Sequence, residues 1–173
     1  MKVCKSLIAL MLLFFIGVFA LVGCNDTDDG SYVAPITLGE KIHGHWTLNS
    51  MKQVDELAQT SVDLSGQLEF MSFGIDLQAD EDNNPSTFSV TGNAPALLPT
   101  SGYWDMANKF TNSDGTANKI YLYSDALKQT KVAMLTVTAT PGVNRVLEFK
   151  LTRKQNGLAF VSYVYNLVPI TAE

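Results

Sequence analysis

The stretch Lys41-Ile42-His43-Gly44-His45-Trp46-Thr47-Leu48 opens the patterned part of the chain and decides how it is read. From Trp46 onward the alternation is by twos: Trp46, Leu48 and Ser50 share one face, His45, Thr47 and Asn49 the other. Period two marks a strand, whose successive side chains point to opposite sides. The same stretch holds both histidines of the chain. If it is extended throughout, His43 and His45 project to one side and Gly44 and Trp46 to the other. Two imidazoles can begin a metal site, but a zinc ion takes four ligands, or three and a water. There is no third histidine, so carboxylates would have to complete the shell. The simpler reading has Trp46 plugging one end of a barrel, Gly44 letting the backbone pass close beneath it, and the histidines facing outward. No metal and no cofactor are expected.

Period-two runs continue to the C-terminus. They cover Leu68 to Leu77, Phe88-Val90, Tyr103 to Met106, Ile120-Leu122, Val132 to Thr138, Leu147 to Leu151 and Val161 to Leu167. Between Phe70 and Phe73 the apolar set changes phase. A slip of one residue would turn every later side chain to the other face, so a bulge or tight bend is expected near Met71-Ser72. Turn formers separate the runs, among them Asp82-Asn83-Asn84-Pro85, Asn93-Ala94-Pro95, Asn112-Ser113-Asp114-Gly115, Thr140-Pro141-Gly142 and Gln155-Asn156-Gly157. No long amphipathic helix is present; Val54 to Gln59 suits a turn or two of helix. The pattern is all-β, with eight strands joined by short loops. Such a series favours an eight-stranded antiparallel up-and-down barrel, because closure removes the free edges of an open sheet. A two-sheet β-sandwich is the alternative.

Upstream of this domain the character changes. Lys2 and Lys5 precede an uncharged apolar run, Leu7 to Val22, that ends in Leu21-Val22-Gly23-Cys24. A basic start, an apolar core and small residues at the end make a secretory signal. The tetrapeptide Leu-Val-Gly-Cys resembles the lipobox of bacterial lipoproteins. That resemblance implies a signal peptide over residues 1–23 and a lipidated Cys24 as the first mature residue. Residues 24–40 then form a lipidated cysteine and an acidic tether, beginning Asn25-Asp26-Thr27-Asp28-Asp29, and residues 41–173 form the barrel domain. The acidic cluster also resembles surface-export signals of Bacteroidetes-type lipoproteins. The resemblance implies a protein of the cell envelope, anchored to the outer membrane through its lipid, and the acidic cluster extends that expectation to the cell surface.

Within the domain, Gly44-His45-Trp46 resembles the Gly-x-Trp signature of lipocalins. A second copy, Gly102-Tyr103-Trp104, and the run Lys119-Ile120-Tyr121-Leu122 extend the resemblance to lipocalin-like lipoproteins of Bacteroidetes with no assigned function. The resemblance implies a barrel in which Gly44, Trp46, Gly102 and Trp104 are structural. The Thr-Asp-x-x-Tyr-type loop and the disulfides of ordinary lipocalins are missing. Cys4 leaves with the signal and Cys24 is acylated, so packing alone must hold the fold.

Composition narrows the function classes. The formal charge is −5 and becomes −7 once Lys2 and Lys5 are removed with the signal. Arg153-Lys154 is the only basic cluster, so nucleic acid is not an expected partner. Asp80, Asp82 and Asn84 imitate the start of an EF-hand loop, but Pro85 stands where Gly is needed and Thr91 where Glu is needed, so a polar hairpin turn is expected. No Gly-x-Ser-x-Gly elbow exists, and both histidines sit in one corner; the chain is not expected to be an enzyme. Aromatic residues on strands can stack on sugars or flat apolar molecules, which makes Tyr103, Tyr163 and Tyr165 the candidate ligand contacts. The expected function is non-catalytic binding of a small apolar or glycan ligand, or of an envelope component. The alternative is a filled barrel acting as a surface interaction or scaffold module, in glycan uptake or adhesion. An eight-stranded barrel is wide enough for either.

Overall fold

The computed structural model describes residues 33–93 and 98–170. Cys24, the signal and the acidic cluster after it lie outside the described residues, as does part of the Asn93-Ala94-Pro95 turn. The strands and the core belong to one compact unit, Ile36–Glu173.

Among the described residues nine antiparallel strands form one sheet: β1 (Gly44–Asp55), β2 (Thr60–Asp63), β3 (Gly74–Ala79), β4 (Pro85–Thr91), β5 (Ser101–Met106), β6 (Lys119–Tyr123), β7 (Lys131–Ala139), β8 (Leu147–Gln155) and β9 (Leu158–Pro169). Their order is β2-β1-β3-β4-β5-β6-β7-β8-β9, and β9 pairs back onto β1. Eight strands, β1 and β3 to β9, thus close into an up-and-down barrel, and the sandwich alternative falls away. A short helix, α1 (Leu38–Ile42), precedes β1.

The ninth strand corrects the reading of Val54 to Gln59 as helix. β1 runs on to Asp55, and the chain turns back into β2, which pairs with Lys52–Asp55. Asp55 shapes that turn, its Oδ1 accepting from the backbone N–H groups of Leu57 and Ala58, each at 2.9 Å. Leu68 to Phe70 is not a strand either. Leu68 and Glu69 take positive φ, and Phe70–Ser72 forms a 3₁₀ turn. This is the bend that the change of phase required. It lets Phe70 and Phe73 both reach the core although they stand three apart.

Alternation then fills the interior. Leu48, Met51, Ile75, Leu77, Phe88, Ile120, Leu122, Leu135, Leu147, Phe149 and Leu167 belong to one continuous apolar cluster, together with both tryptophans and Tyr165. Rings meet at its centre: Tyr165 lies 5.1 Å from Phe73 and 5.0 Å from Phe149, centroid to centroid. Tilted aromatic packing of this kind adds to the area it buries.

Pairing around the wall is uneven. The β8–β9 ladder extends from Leu147↔Leu167 to Gln155↔Leu158. The β7–β8 ladder stops at Leu135↔Leu151, so, among the described residues, 131–134 of β7 and 152–155 of β8 have no partner across that seam.

Candidate functional site

The histidine corner is built differently from a strand. His43 is the C-cap of α1, with φ −58° and ψ 147°, and its N–H donates to the Gly39 carbonyl. β1 starts one residue later, at Gly44. The two imidazoles therefore do not belong to one strand face. His45 is exposed, and its Nδ1 lies 3.2 Å from Asp76 Oδ1 on β3. Among the described residues no group of three or more His, Cys, Asp or Glu side chains converges as metal ligands would.

Both Gly-x-Trp motifs set up the same device. Trp46 is buried, and its Nε1 donates to the Ile42 carbonyl at 2.8 Å, tying β1 to the end of α1. Trp104 is fully buried, and its Nε1 donates to the Gln78 carbonyl at 2.7 Å. That carbonyl sits where the β3–β4 register shifts, Gln78 lying between the pairs Leu77↔Phe88 and Ala79↔Pro85 and facing Ser86 and Thr87. A bulge disrupts the ladder locally, and a carbonyl there must find another donor. The indole supplies it.

The glycines differ from each other. Gly44 has φ +131°, which a side chain rarely adopts, yet nothing lies within 4 Å of where its Cβ would be. Its role is conformational, which corrects the expectation of close backbone passage beneath Trp46. Close passage occurs at Gly102 instead. There a Cβ would collide with the Tyr123 carbonyl oxygen and come within 2.9 Å of the Phe88 ring.

The tyrosines divide between the two faces of the wall. Tyr165 is fully buried, and its hydroxyl has no hydrogen-bond partner among the described residues. Burial pushes that hydroxyl's pKa up, with the neighbouring Tyr163 adding to it. Tyr163 packs against the core from the same face. Tyr103 pairs with Tyr123, and Asp105 with Tyr121, on the outer wall. Burial, with the nearby Asp105 carboxylate, raises the Tyr123 pKa. The three candidate tyrosines thus fail to converge, since Tyr103 faces away from Tyr163 and Tyr165. Nor is the outer aromatic face free for stacking: Lys131 Nζ sits 3.2 Å from the Tyr121 ring centroid, a cation–π arrangement.

Recesses occur on the wall and at the α1 end. One of about 230 Å³ at that end includes Glu40, Asp82, Asp105 and Lys128. Lys128 bridges it, donating to the Pro85 carbonyl at 2.8 Å and to Asp105 Oδ2 at 3.1 Å. A second, of about 550 Å³, lies under the β5–β6 loop. Its polar groups serve the loop: Asn108 Nδ2 donates to Asn112 Oδ1 at 2.8 Å, and Thr116 Oγ1 to Asp114 Oδ1 at 2.7 Å. The Asp80 region is the β3–β4 turn, with Asp80 Oδ1 accepting from the N–H groups of Asp82 at 3.0 Å and Asn84 at 2.8 Å.

The largest of these recesses, about 570 Å³, opens where β7 and β8 part. Val132, Met134, Leu151, Thr152, Arg153 and Lys154 line it, with Lys119 from β6 at its edge. Period-two reading could place these residues on strands, but it gave no sign that their ladder is cut short. Register between strands depends on the tilt and stagger of the whole barrel.

No curated protein and no solved structure matches the chain at a significant level. A family model does match, over residues 23–168, and its description is a domain of unknown function, DUF5004. The chain belongs to that family.

Proposed function

We propose that the protein is a lipid-anchored envelope module that binds its partner without catalysis, through the outer wall of a filled barrel. The observation that carries this reading is the packing of the interior. Tyr165 packs against Phe73 and Phe149, and these three and Trp104 all belong to the apolar cluster with side chains at most 2% exposed. A drug-sized or larger ligand needs a site of roughly 300 Å³ or more. The apolar cluster occupies the place where such a ligand would sit, so the carrier reading loses ground to the scaffold reading.

Anchoring rests on the sequence alone. The basic start, the apolar run and Leu-Val-Gly-Cys support lipidation at Cys24, and the family match begins beside it, at residue 23. Fold by itself does not assign a function. Non-catalysis is supported by the placement of the side chains that could do chemistry: His43 and His45 are exposed, and Asp80 serves a turn.

The test titrates the soluble chain of residues 25–173 with cis-parinaric acid and with an anilinonaphthalene sulfonate probe. No saturable binding is expected. One-to-one binding that Leu135→Trp abolishes would overturn the filled-barrel reading. Lipidation is checked separately by palmitate labelling in a bacterial host, which Cys24→Ala should abolish.

A further inference from the structure

The seam between β7 and β8 parts early, as the β4–β5 seam does, but Lys128 spans the latter, donating to the Pro85 carbonyl and to Asp105. The β7–β8 ladder ends at Leu135↔Leu151, while β7 continues to pair with β6 as far as Lys131, and β8 with β9 as far as Gln155. Both strands therefore remain extended past the point where they part. Residues 131–134 and 152–155 present edges to each other with no ladder between them, and the groove of about 570 Å³ lies in the gap. A row of unpaired backbone N–H and C=O groups is a template for another strand.

Charge says what kind of strand. In a chain with 17 acidic and 12 basic residues, the groove lining includes Lys119, Arg153 and Lys154 and no carboxylate. Apolar side chains lie among the cations: Val132 is 46% and Met134 37% exposed. Lysines at a sheet edge also guard against indiscriminate pairing. The two roles agree, because cations that repel a basic or neutral edge attract an acidic one.

We propose that the β7–β8 cleft is a peptide-binding site that accepts an extended segment with alternating acidic and apolar residues, by strand addition. The main chain of the segment pairs with the free edges at 131–134 and 152–155. Its carboxylates meet Lys119 and Lys154 on the outer face of the wall, and its apolar side chains turn inward over Ala133 and Leu151. Strand addition divides the work in this way, with main-chain bonds giving affinity and alternate side chains giving specificity. This deepens the outer-wall reading by naming the class of partner. The two fail separately, since probe binding reports on the interior and peptide binding on the seam.

The experiment uses the isotope-labelled chain of residues 25–173 and the capped hexapeptide Asp-Val-Asp-Val-Asp-Val. On addition of peptide, the amides of 131–134 and 152–155 should shift and become protected from hydrogen exchange. Its Lys-Val counterpart should leave them unchanged, and N-methylation at alternate residues, which removes main-chain donors, should abolish the effect. The double variant Lys119→Glu, Lys154→Glu should weaken binding about tenfold at low salt, the loss shrinking as salt screens the charges. Four results would overturn the proposal. One is the absence of shifts at these residues with millimolar peptide, and a second is equal binding of the N-methylated form. A third is a response to anionic lipid vesicles without one to peptide, which would assign the cations to a membrane surface. The last is concentration-dependent shifts without peptide, which would make the occupant a second copy of the chain.

Discussion

Trp104 on β5 donates its indole N–H to the carbonyl of Gln78 on β3, at 2.7 Å, across the intervening β4. Gln78 faces the two residues, Ser86 and Thr87, between which the β3–β4 register shifts. A side chain from a third strand thus supplies a donor where the ladder is irregular. Trp46 does the same for the Ile42 carbonyl at the end of α1. The two Gly-x-Trp motifs are linked by this use of the indole, as well as by their spelling.

Trp104→Phe should keep part of the packing and leave the Gln78 carbonyl without a donor. The bond is part-buried, so its loss falls at the low end of the cost of an unsatisfied group, about 1 kcal/mol. Trp104→Ala removes the ring as well, at about 3–5 kcal/mol. Urea unfolding of both variants checks the order, with Ala below Phe and Phe below the parent.

The motif glycines should respond unequally. At Gly44 an alanine has open space, so its cost is the strained φ alone, about 1–3 kcal/mol. At Gly102 an alanine meets the Tyr123 carbonyl and the Phe88 ring, and the β5–β6 pairing must shift to admit it. Thermal melts should show Gly102→Ala as the more damaging of the two.

How much of this was legible in the sequence follows from what each feature depends on. Alternation at Trp46-Leu48, Phe73-Ile75-Leu77 and Leu147-Phe149-Leu151 is local, and it marked core strands that the barrel contains. The phase change before Phe73 was visible as well, though its form, a 3₁₀ turn after two positive-φ residues, was not. Val54 to Gln59 misled because its polar, strand-neutral residues lack alternation; pairing with β9 on one side and β2 on the other makes the end of β1 extended. Parity grouped Tyr163 with Tyr165 but could not say which face was inside. The β7–β8 seam was invisible, since it is a property of two strands and no single run of residues encodes it.

Tyr165→Phe tests the interior from another side. The hydroxyl has no partner among the described residues, so its removal strands none of their groups and spares its desolvation. The variant should be as stable as the parent or more so, by up to about 1 kcal/mol. A loss above that would reveal a partner for the hydroxyl inside the barrel.

Stability should also fall in acid for a traceable reason. Lys150 Nζ lies 2.7 Å from Glu56 Oε1, and this ammonium, with the Ser162 hydroxyl, holds the Glu56 carboxyl below its ordinary value of 4.5. A carboxylate whose folded pKa is depressed stabilises the fold above its unfolded pKa and loses that contribution as pH falls through the folded one. Glu56→Gln should therefore lower stability at neutral pH and flatten its decline below pH 4.5. Denaturant midpoints measured across that range, parent against variant, provide the check.

The most direct measurement of the central claim is a xenon-pressurised crystal of residues 25–173, because xenon enters apolar cavities that water leaves empty. The expected result is no xenon among Phe73, Phe149, Trp104 and Tyr165, with any bound atoms confined to the outer wall. Xenon at the centre of those rings would reveal a hollow interior and return the protein to the class of carriers.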